Sequence, residues 1–366
     1  SSEGNPAGLL TKCGTPSFVA PEILHGVPYN HLVDMWSAGV LIYMLLGGYP
    51  PFQAKNQREL FRKVRASDYV FHEKEWDSVS VGAKKLIASC LTVDPNKRIE
   101  ASHALKENVW LNDTTTDDVL SQRSLNDALA GIKHFNAKRK LKGAGLAVHV
   151  AVASKFWDKT ATSVGSSKRR LLGSGSTSPS TIDHNPAIPT NLTTATSMFA
   201  TYSKKPTKIF DEIYSLTRPI RKGTFATVYE GRIKIEGDKA AAQDAPSEPF
   251  AIKVVIRKNI THKDEGSILN EVAMLQSLRA APQYFTMLED FMEEKDKFFI
   301  VMEYCSGGDL FDKICQLQHY SEADARTIAT VMLKGVQYMH SLSIAHRDLK
   351  PQNLILKNSK NDTGIK

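Results

Sequence analysis

His346-Arg347-Asp348-Leu349-Lys350-Pro351-Gln352-Asn353 is the stretch that decides the fold, because one short segment gathers three kinds of reactive side chain. Asp348 offers a carboxylate, Lys350 an ammonium group and Asn353 an amide oxygen. A carboxylate can accept a proton, a lysine can neutralise developing negative charge, and an amide oxygen can bind a hard divalent cation. The alternative is a surface turn rich in Asp, Lys and Asn, and the order and spacing of the residues decide between the two.

This segment resembles the catalytic loop of protein kinases, whose pattern is H-R-D-L-x-x-x-N. The resemblance implies that Asp348 orients the substrate hydroxyl, that Lys350 stabilises the transferred phosphoryl group and that Asn353 binds Mg²⁺. Lysine at position 350 is typical of the serine/threonine-specific members. The expected activity is phosphoryl transfer from ATP to serine and threonine hydroxyls of protein substrates, with ATP and Mg²⁺ as cofactors.

The segment around Lys253 supplies the expected phosphate contacts. Ala251-Ile252-Lys253 resembles the V-A-I-K strand of kinases, which implies that Lys253 meets the α- and β-phosphates. Glu271, in the helix pattern that follows, is the expected ion-pair partner of Lys253. Without the catalytic loop, both would read as ordinary solvated charges. The resemblance also assigns ATP contacts to Ile220, Gly223, Val228 and Ala251.

Met302-Glu303-Tyr304-Cys305 resembles the hinge that connects the two lobes of a kinase. The resemblance implies that backbone groups of Glu303 and Cys305 meet adenine and that Met302 guards the back of the adenine pocket. Asp309 matches a position that meets either the ribose or a basic residue of the substrate.

The phosphate-covering loop departs from its template G-x-G-x-x-G-x-V, because Arg221-Lys222-Gly223-Thr224-Phe225-Ala226-Thr227-Val228 retains only the central glycine. Ala226 is a mild change, whereas Arg221 puts a bulky side chain where a tight turn is usual. We expect ATP to bind with reduced affinity.

The start of the chain resembles the part of a kinase that normally follows the catalytic loop. Cys13-Gly14-Thr15-Pro16-Ser17-Phe18-Val19-Ala20-Pro21-Glu22 ends in the A-P-E signature of an activation segment. The resemblance implies that Thr15 faces the substrate hydroxyl, that Glu22 pairs with Arg98 in a buried ion pair, and that Asp34 holds the backbone of the catalytic loop.

Thr11 lies where related calcium-dependent kinases carry an activating phosphothreonine. A phosphate on Thr11 is expected to pair with Arg347. The alternative is an ordinary loop threonine.

Phe135-Asn136-Ala137-Lys138-Arg139-Lys140-Leu141-Lys142-Gly143-Ala144 resembles the autoinhibitory and calmodulin-binding segment of calcium/calmodulin-dependent kinases. A basic amphipathic helix is the kind of ligand that calmodulin binds. Gly145 falls where a middle apolar anchor is expected, and Ala128 stands where some relatives have an autophosphorylated threonine. A solvated helix is the alternative. The expected calmodulin contacts are Phe135, Lys138, Arg139, Lys140, Leu141, Val150 and Trp157.

Apolar periodicity predicts an α+β fold. Alternating runs predict strands at Tyr214–Ile220, Thr227–Ile235, Phe250–Arg257 and Phe298–Glu303. A helix is predicted at Gly266–Leu278, a helix-prone stretch extends from about Ser121 to Trp157, and further helix patterns fill the regions before and after the strands. Together with the motifs, this predicts a two-lobed protein-kinase-like fold with a small antiparallel β lobe and a larger helical lobe, assembled from halves in permuted order.

Five segments follow from these patterns. We predict the second half of the helical lobe at 1–112, a calmodulin-binding-like segment at 113–157, a disordered linker rich in Ser, Thr, Pro and Gly at 158–208, the small lobe at 209–304, and the catalytic-loop part of the helical lobe at 305–366.

Three explanations for the order of the segments stay open: a fragment of a tandem-kinase protein, an incorrectly assembled gene product, or a true circular permutant. The 366 residues contain no Asp-Phe-Gly, the motif that supplies the second Mg²⁺ ligand in kinases. The alternative function is therefore a catalytically impaired, pseudokinase-like module that binds nucleotide and calmodulin.

Charge and composition exclude other classes of protein. Residues 131–170 hold ten Lys/Arg against one acid, a charge of +9, so the other residues sum to −1 and the whole net charge of +8 belongs to this segment. We therefore expect no nucleic-acid partner. Apolar runs are too short to span a bilayer. The four cysteines show no metal or disulfide pattern, which favours a cytoplasmic location.

Overall fold

The computed structural model describes residues 15–112, 117–145, 209–223, 226–234 and 248–357, with the backbone alone at 141–145 and 262–263. The chain divides into two compact units. The helical unit comprises Ser1–Gly145, Ser277–Met287 and Glu303–Lys366, and the sheet unit comprises Leu146–Gln276 and Leu288–Met302. The helical unit therefore combines residues from both ends of the chain.

The helices among the described residues are numbered in chain order. They are α1 Pro21–His25, α2 Val33–Gly47, α3 Gln57–Ala66, α4 Glu73–Trp76, α5 Val81–Cys90, α6 Ala101–Glu107, α7 Val109–Asn112, α8 Asp117–Gln122, α9 Asn126–Gly145, α10 Phe210–Ile213, α11 His262–Ser277, α12 Leu310–Gln316 and α13 Glu322–Ser341. Short 3₁₀ turns occur at Arg257–Asn259, Leu278–Ala280 and Pro351–Asn353.

Helix α2 is the centre of the helical unit, and every one of its residues is buried. Its sequence is apolar on all sides, as expected for a helix that is surrounded by other elements. It contacts α5, α9 and α13. Gly48 ends the helix with φ of 80° and donates its backbone N–H to the Met44 carbonyl, a C-terminal cap that glycine adopts without strain.

Helix α9 approaches the end of α2 very closely. A Cβ atom added at Gly131 would lie 2.6 Å from the Gly48 carbonyl oxygen, and one added at Gly48 would lie 2.6 Å from the Ala128 carbonyl oxygen. Only glycine allows two backbones to come this near. Leu129 and Ile132 are buried beside this contact, so the first turns of α9 belong to the core of the helical unit.

Polar caps fix the beginnings of the helices that carry the site. The Asp309 side chain accepts a hydrogen bond from the Asp312 backbone N–H at the start of α12. Ser321 and Asp324 form a reciprocal capping box at the start of α13. Each cap satisfies backbone donors that would otherwise lack partners, which sets where the helix begins.

The sheet unit is built on one five-stranded sheet in the order β1-β2-β3-β5-β4. Its strands are β1 Tyr214–Lys222, β2 Ala226–Ile233, β3 Phe250–Ile256, β4 Leu288–Glu293 and β5 Lys297–Glu303. The pairs β1–β2, β2–β3 and β4–β5 are antiparallel. Two buried apolar clusters contribute to its core, one around Ile252 and Phe299 and one around Val255 and Val272 of α11.

The α+β class predicted from the sequence is confirmed, with two differences in detail. The sequence predicts four strands, whereas β4 is a fifth. Its Glu289, Asp290 and Glu293 interrupt the apolar pattern, and β4 lies at the edge of the sheet, where charged residues are tolerated.

The second difference concerns the helix-prone stretch around residues 121–157. The structure has α8 and α9 with a break between them, and residues 146–157 lie outside the described part. None of the helices in the described residues is long and apolar enough to cross a membrane.

Candidate active site

Asp348 lies at the centre of a hydrogen-bonded cluster in the helical unit. Its Oδ1 accepts a hydrogen bond of 3.0 Å from the Thr15 hydroxyl, and its Oδ2 pairs with the Lys350 ammonium group. Lys350 Nζ also donates to Thr15 Oγ1 at 3.1 Å. A carboxylate and an ammonium group therefore hold one side-chain hydroxyl between them, which is the arrangement that phosphoryl transfer to a hydroxyl requires.

Asn353 faces the same carboxylate. Its Nδ2 donates to the Asp348 backbone carbonyl at 2.7 Å and to Asp348 Oδ2 at 3.1 Å. These bonds use the amide nitrogen and leave the amide oxygen, a ligand type that Mg²⁺ prefers. The described residues contain no group of three or more His, Cys, Asp or Glu that could hold a metal alone. The amide oxygen of Asn353 is therefore a group that could contribute to a metal site.

The buried Asp34 of α2 holds the backbone of the catalytic loop. Its two carboxylate oxygens accept hydrogen bonds of 2.8 Å from the backbone N–H groups of His346 and Arg347. Arg347 has φ of 66°, a left-handed conformation that costs energy for a residue with a side chain. The two bonds to Asp34 offset that cost and keep Asp348 oriented.

His340 and His31 surround Asp34 from the other side. His340 Nε2 lies 3.1 Å from Asp34 Oδ2, and the two histidine rings are 4.4 Å apart. Burial and the neighbouring His340 lower the pKa of His31. The lowered pKa favours the neutral form of this half-buried histidine, because burial penalises its charged form.

Glu22 and Arg98 form a buried ion pair that fixes the end of the segment carrying Thr15. The guanidinium donates to the two carboxylate oxygens at 2.6 and 2.9 Å, and the side chains are 5% and 0% exposed. Arg98 also donates to the backbone carbonyls of Leu32, Thr92 and Val93. All its nitrogens therefore have partners, which a buried charge requires.

Lys253 and Glu271 pair within the sheet unit, with Nζ at 2.6 and 2.8 Å from the two carboxylate oxygens. Strand β3 carries the lysine and α11 the glutamate. The pair is partly exposed, at 25% and 39%. Glu271 thereby orients a cation that stays accessible to an anionic ligand.

The other predicted ATP contacts of the sheet unit lie on three strands. Ile220 is on β1, Val228 on β2 and Ala251 on β3, while Gly223 directly follows β1. Gly223 donates its backbone N–H to the Ala226 carbonyl at 2.8 Å, which brings the ends of the two strands together. Met302 packs against the Val255 cluster.

Glu303, Cys305 and Asp309 belong to the helical unit, and all three are half-buried. The Glu303 backbone N–H donates to the Met287 carbonyl at 2.9 Å, and its carboxylate lies 3.2 Å from Lys357 Nζ. Asp309 Oδ2 accepts a hydrogen bond of 2.7 Å from Arg139 of α9. The acidic position predicted to meet ribose or a basic substrate residue is thus bound by the chain's own arginine.

Helix α9 makes further contacts with α12. Asn136 Nδ2 donates to Asp312 Oδ1 at 2.7 Å, Lys140 Nζ pairs with the same oxygen at 2.7 Å, and the Phe135 ring meets the Phe311 ring edge-on. Burial opposes ionisation of Asp312, but bonds from Lys140 and Asn136 and the charges of Lys140 and Arg139 outweigh it and lower its pKa. Asp312 is therefore a carboxylate in this contact. Lys138 is exposed.

Several predicted residues cannot be located. Thr11, Val150 and Trp157 lie outside the described residues, and for Leu141 only the backbone is described. The structure therefore leaves the phosphate proposed for Thr11 and the outer calmodulin anchors as predictions.

Three residues with structural contacts in the helical unit were not predicted from the sequence. Asn136 bridges α9 to Asp312, His340 contacts Asp34, and the fully buried Glu322 binds both the Ser80 backbone N–H and Arg123. Asn136 could have been found from its spacing, because it lies three residues before Arg139. Asp309 and Asp312, at the start of α12, have the same spacing of three residues. No sequence signal marked His340 or Glu322.

A catalytic carboxylate beside a lysine, an asparagine and a threonine, together with a five-stranded sheet that carries a paired lysine, defines a phosphotransferase fold of the kinase class. The profile of the Protein kinase domain matches residues 1–111 and 214–366. The chain belongs to the protein kinase family.

Among curated relatives, calcium/calmodulin-dependent protein kinase type II subunit delta of Oryctolagus cuniculus is 42% identical over 149 residues. That alignment covers 41% of this chain and 27% of the relative, so the match spans about a quarter of the relative's length.

Proposed function

We propose that the chain transfers the γ-phosphoryl group of ATP to serine and threonine hydroxyls of protein substrates. The observation that carries this proposal is the contact of Asp348 and Lys350 with the Thr15 hydroxyl. A substrate hydroxyl that replaces this contact would meet a carboxylate able to orient its proton and a cation able to stabilise the transferred group. The membership of the kinase family supports the same reaction.

The remaining residues have roles that the same chemistry implies. Lys253, oriented by Glu271, would bind the phosphates of ATP, and the Asn353 amide oxygen would hold Mg²⁺. The bound Mg²⁺ supplies charge neutralisation at the phosphate oxygens. Asp34 keeps the catalytic loop in its left-handed conformation, and Glu22 with Arg98 keeps Thr15 in reach of Asp348.

Substitution of the carboxylate tests the proposal. Asp348→Asn should lower the rate of phosphoryl transfer to a serine-containing protein by about 100-fold or more, because proton transfer assistance is lost. Its affinity for ATP should change little. Radiolabelled phosphate incorporation gives the rate, and a fluorescence titration gives the affinity. Equal transfer by the wild-type chain and the variant contradicts this role of Asp348.

We further propose that α9 inhibits the site and that calcium-loaded calmodulin relieves this inhibition by binding α9. Arg139 binds Asp309, a position where a basic substrate residue is expected, and Lys140 with Asn136 binds Asp312. The Lys140–Asp312 pair is exposed, with the Lys140 side chain at 61%, so a partner can compete for it. The similarity to a calcium/calmodulin-dependent kinase supports calmodulin as that partner.

The calmodulin proposal has its own test. Calmodulin should bind the chain with calcium and should release it when calcium is chelated, as followed by a gel-shift or calorimetric titration. Replacing Lys138 and Lys140 together with glutamate should weaken binding about tenfold, because both charges meet an acidic partner. Binding that ignores calcium contradicts the proposal.

A second candidate is a module that binds nucleotide and calmodulin without transfer. The observation that favours it is Arg221 in the phosphate-covering loop, where kinases have glycine. The same two assays separate the candidates. Nucleotide binding with no phosphate incorporation, in the presence of calmodulin, supports the module. Incorporation that Asp348→Asn abolishes supports the enzyme.

A further inference from the structure

The end of the β1–β2 hairpin carries an arginine whose position the pairing of the strands defines. Arg221 of β1 is opposite Val228 of β2, and Val228 is opposite Lys253 of β3. Directly opposed residues of antiparallel strands point to the same face of a sheet. Arg221, Val228 and Lys253 therefore form one row on the face where Lys253 meets Glu271.

Two irregularities of β1, one between Leu216 and Pro219 and one between Pro219 and Arg221, set the residue that Arg221 faces. Pro219 is opposite Tyr229 and Arg221 is opposite Val228, so two steps along β1 match one step along β2. This is the two-against-one pairing of a β-bulge, which re-aims a side chain. Regular pairing continued from Leu216–Gly231 would put Arg221 opposite Ala226, two residues from Val228 and on the same face. The two shifts together therefore displace β1 by two residues along β2 and put Arg221 opposite Val228, in the row of Lys253.

The distances suit one shared anionic ligand. Neighbouring strands are about 4.8 Å apart, so the backbones of Arg221 and Lys253 are about 10 Å apart across β2. Only the half-buried Val228 lies between them in the row. Both side chains are long enough to reach an anion located above Val228.

Charge balance leaves Arg221 available for a ligand. Its neighbour Arg218 binds Glu230 at 2.8 Å, and Lys253 binds Glu271. Arg221 itself is exposed and pairs with no carboxylate of the residues that the structure describes. An unpaired cation in a row with the phosphate-binding lysine is electrostatically suited to a polyphosphate.

We propose that Arg221 is a phosphate-binding residue that contacts the same nucleotide as Lys253. This inference rests on the proposed function, because it takes ATP to be the ligand of the Lys253 face. Guanidinium groups bind phosphate oxygens through two parallel hydrogen bonds. Arg221 thereby replaces, with a charge, the backbone approach that glycine provides in related loops. Its contribution should depend on the phosphates and not on the base.

The test compares ATP with adenosine on the full chain. Arg221→Ala should weaken ATP binding about tenfold, as expected for loss of one charge-assisted contact, and should change adenosine binding less than twofold. Arg221→Lys should keep most of the ATP affinity, because it keeps the charge. Dissociation constants come from calorimetry at constant salt and Mg²⁺.

Lys222→Ala is the matched control. It removes the same charge one residue away, but Lys222 is opposite Thr227 and so points to the other face of the sheet. Its ATP affinity should fall clearly less than that of Arg221→Ala. Unfolding temperatures of all variants should agree within a few degrees, because both positions are exposed.

The outcomes separate this inference from the function on which it rests. If the wild-type chain binds ATP and Arg221→Ala binds it equally well or more tightly, the inference is wrong and the proposed function stands. If Lys222→Ala loses as much ATP affinity as Arg221→Ala, the effect comes from general surface charge, and the inference is also wrong. If the wild-type chain binds no ATP, or if Lys253→Met leaves binding intact, the proposed ATP site fails and this inference with it.

Discussion

Two arginines of the helical unit bind carboxylates in very different ways. Arg98 makes five hydrogen bonds, to both oxygens of Glu22 and to three backbone carbonyls, and is fully buried. Arg139 makes one hydrogen bond of 2.7 Å to Asp309, and its Nη1 is buried with no partner among the described residues. Every side-chain nitrogen of Arg98 therefore has a hydrogen-bond partner, whereas one nitrogen of Arg139 has none.

The difference separates a permanent contact from a releasable one. An unpaired buried donor costs about 1–3 kcal/mol. The unpaired Nη1 of Arg139 therefore offsets part of the stabilisation that the ion pairs of α9 contribute. The neighbouring Lys140 is 61% exposed in its pair with Asp312, where solvent screens the attraction. We infer that the Glu22–Arg98 pair is the stronger contact and that the turns of α9 from Asn136 to Lys140 are bound more weakly than its buried first turns, in agreement with the proposed displacement by a partner.

The largest effect is expected from breaking the permanent contact. Glu22→Gln leaves Arg98 buried without a counter-charge, so the free energy of unfolding should fall by about 3–5 kcal/mol. Urea denaturation followed by tryptophan fluorescence measures it. Asp68→Asn is the control, because Asp68 forms an exposed pair with Arg62 and its loss should cost less than about 1 kcal/mol. Similar losses for the two variants would show that the burial of Arg98 is not decisive.

A smaller effect is expected where α9 meets α2. The Cβ of Gly131→Ala would lie 2.6 Å from the Gly48 carbonyl oxygen, which is backbone and cannot rotate away. Crowding of this kind typically costs about 1–3 kcal/mol, and here α9 alone should loosen. Hydrogen exchange of the amides of residues 126–140 should accelerate, while the amides of α2 stay protected.

Gly266→Ala is the matched control for that variant. Gly266 is also inside a helix, α11, but nothing lies within 4 Å of its added Cβ. Alanine there should stabilise the sheet unit by about 0.5–1 kcal/mol, since glycine is the poorer helix former. If Gly131→Ala slows hydrogen exchange in α9, as a stabilising alanine would, then the close approach to Gly48 does not exclude a side chain at position 131.

Some of these features follow from the sequence and others do not. Asp348, Lys350 and Asn353 lie within one short loop, so local geometry alone brings them together. The residue opposite Arg221 depends on two register shifts in β1, which leave no signature in composition. The partner of Arg139 lies 170 residues away, and only the packing of α9 against α12 makes that contact. Strand β4 escaped prediction because its acidic residues mask its apolar positions.

The smallest effect is expected from the releasable contact itself. Arg139→Gln removes the bond to Asp309 but also removes the unpaired Nη1, so these changes partly cancel and docking of α9 should weaken by about 1 kcal/mol or less. Asp309 keeps a partner, because its other oxygen still caps α12. Hydrogen exchange in residues 126–140 should rise up to about fivefold. The free energy of unfolding of the helical unit should not change measurably, in contrast to Glu22→Gln. A loss of several kcal/mol for Arg139→Gln would mean that α9 is a permanent part of the fold, because no partner could then displace it at moderate affinity.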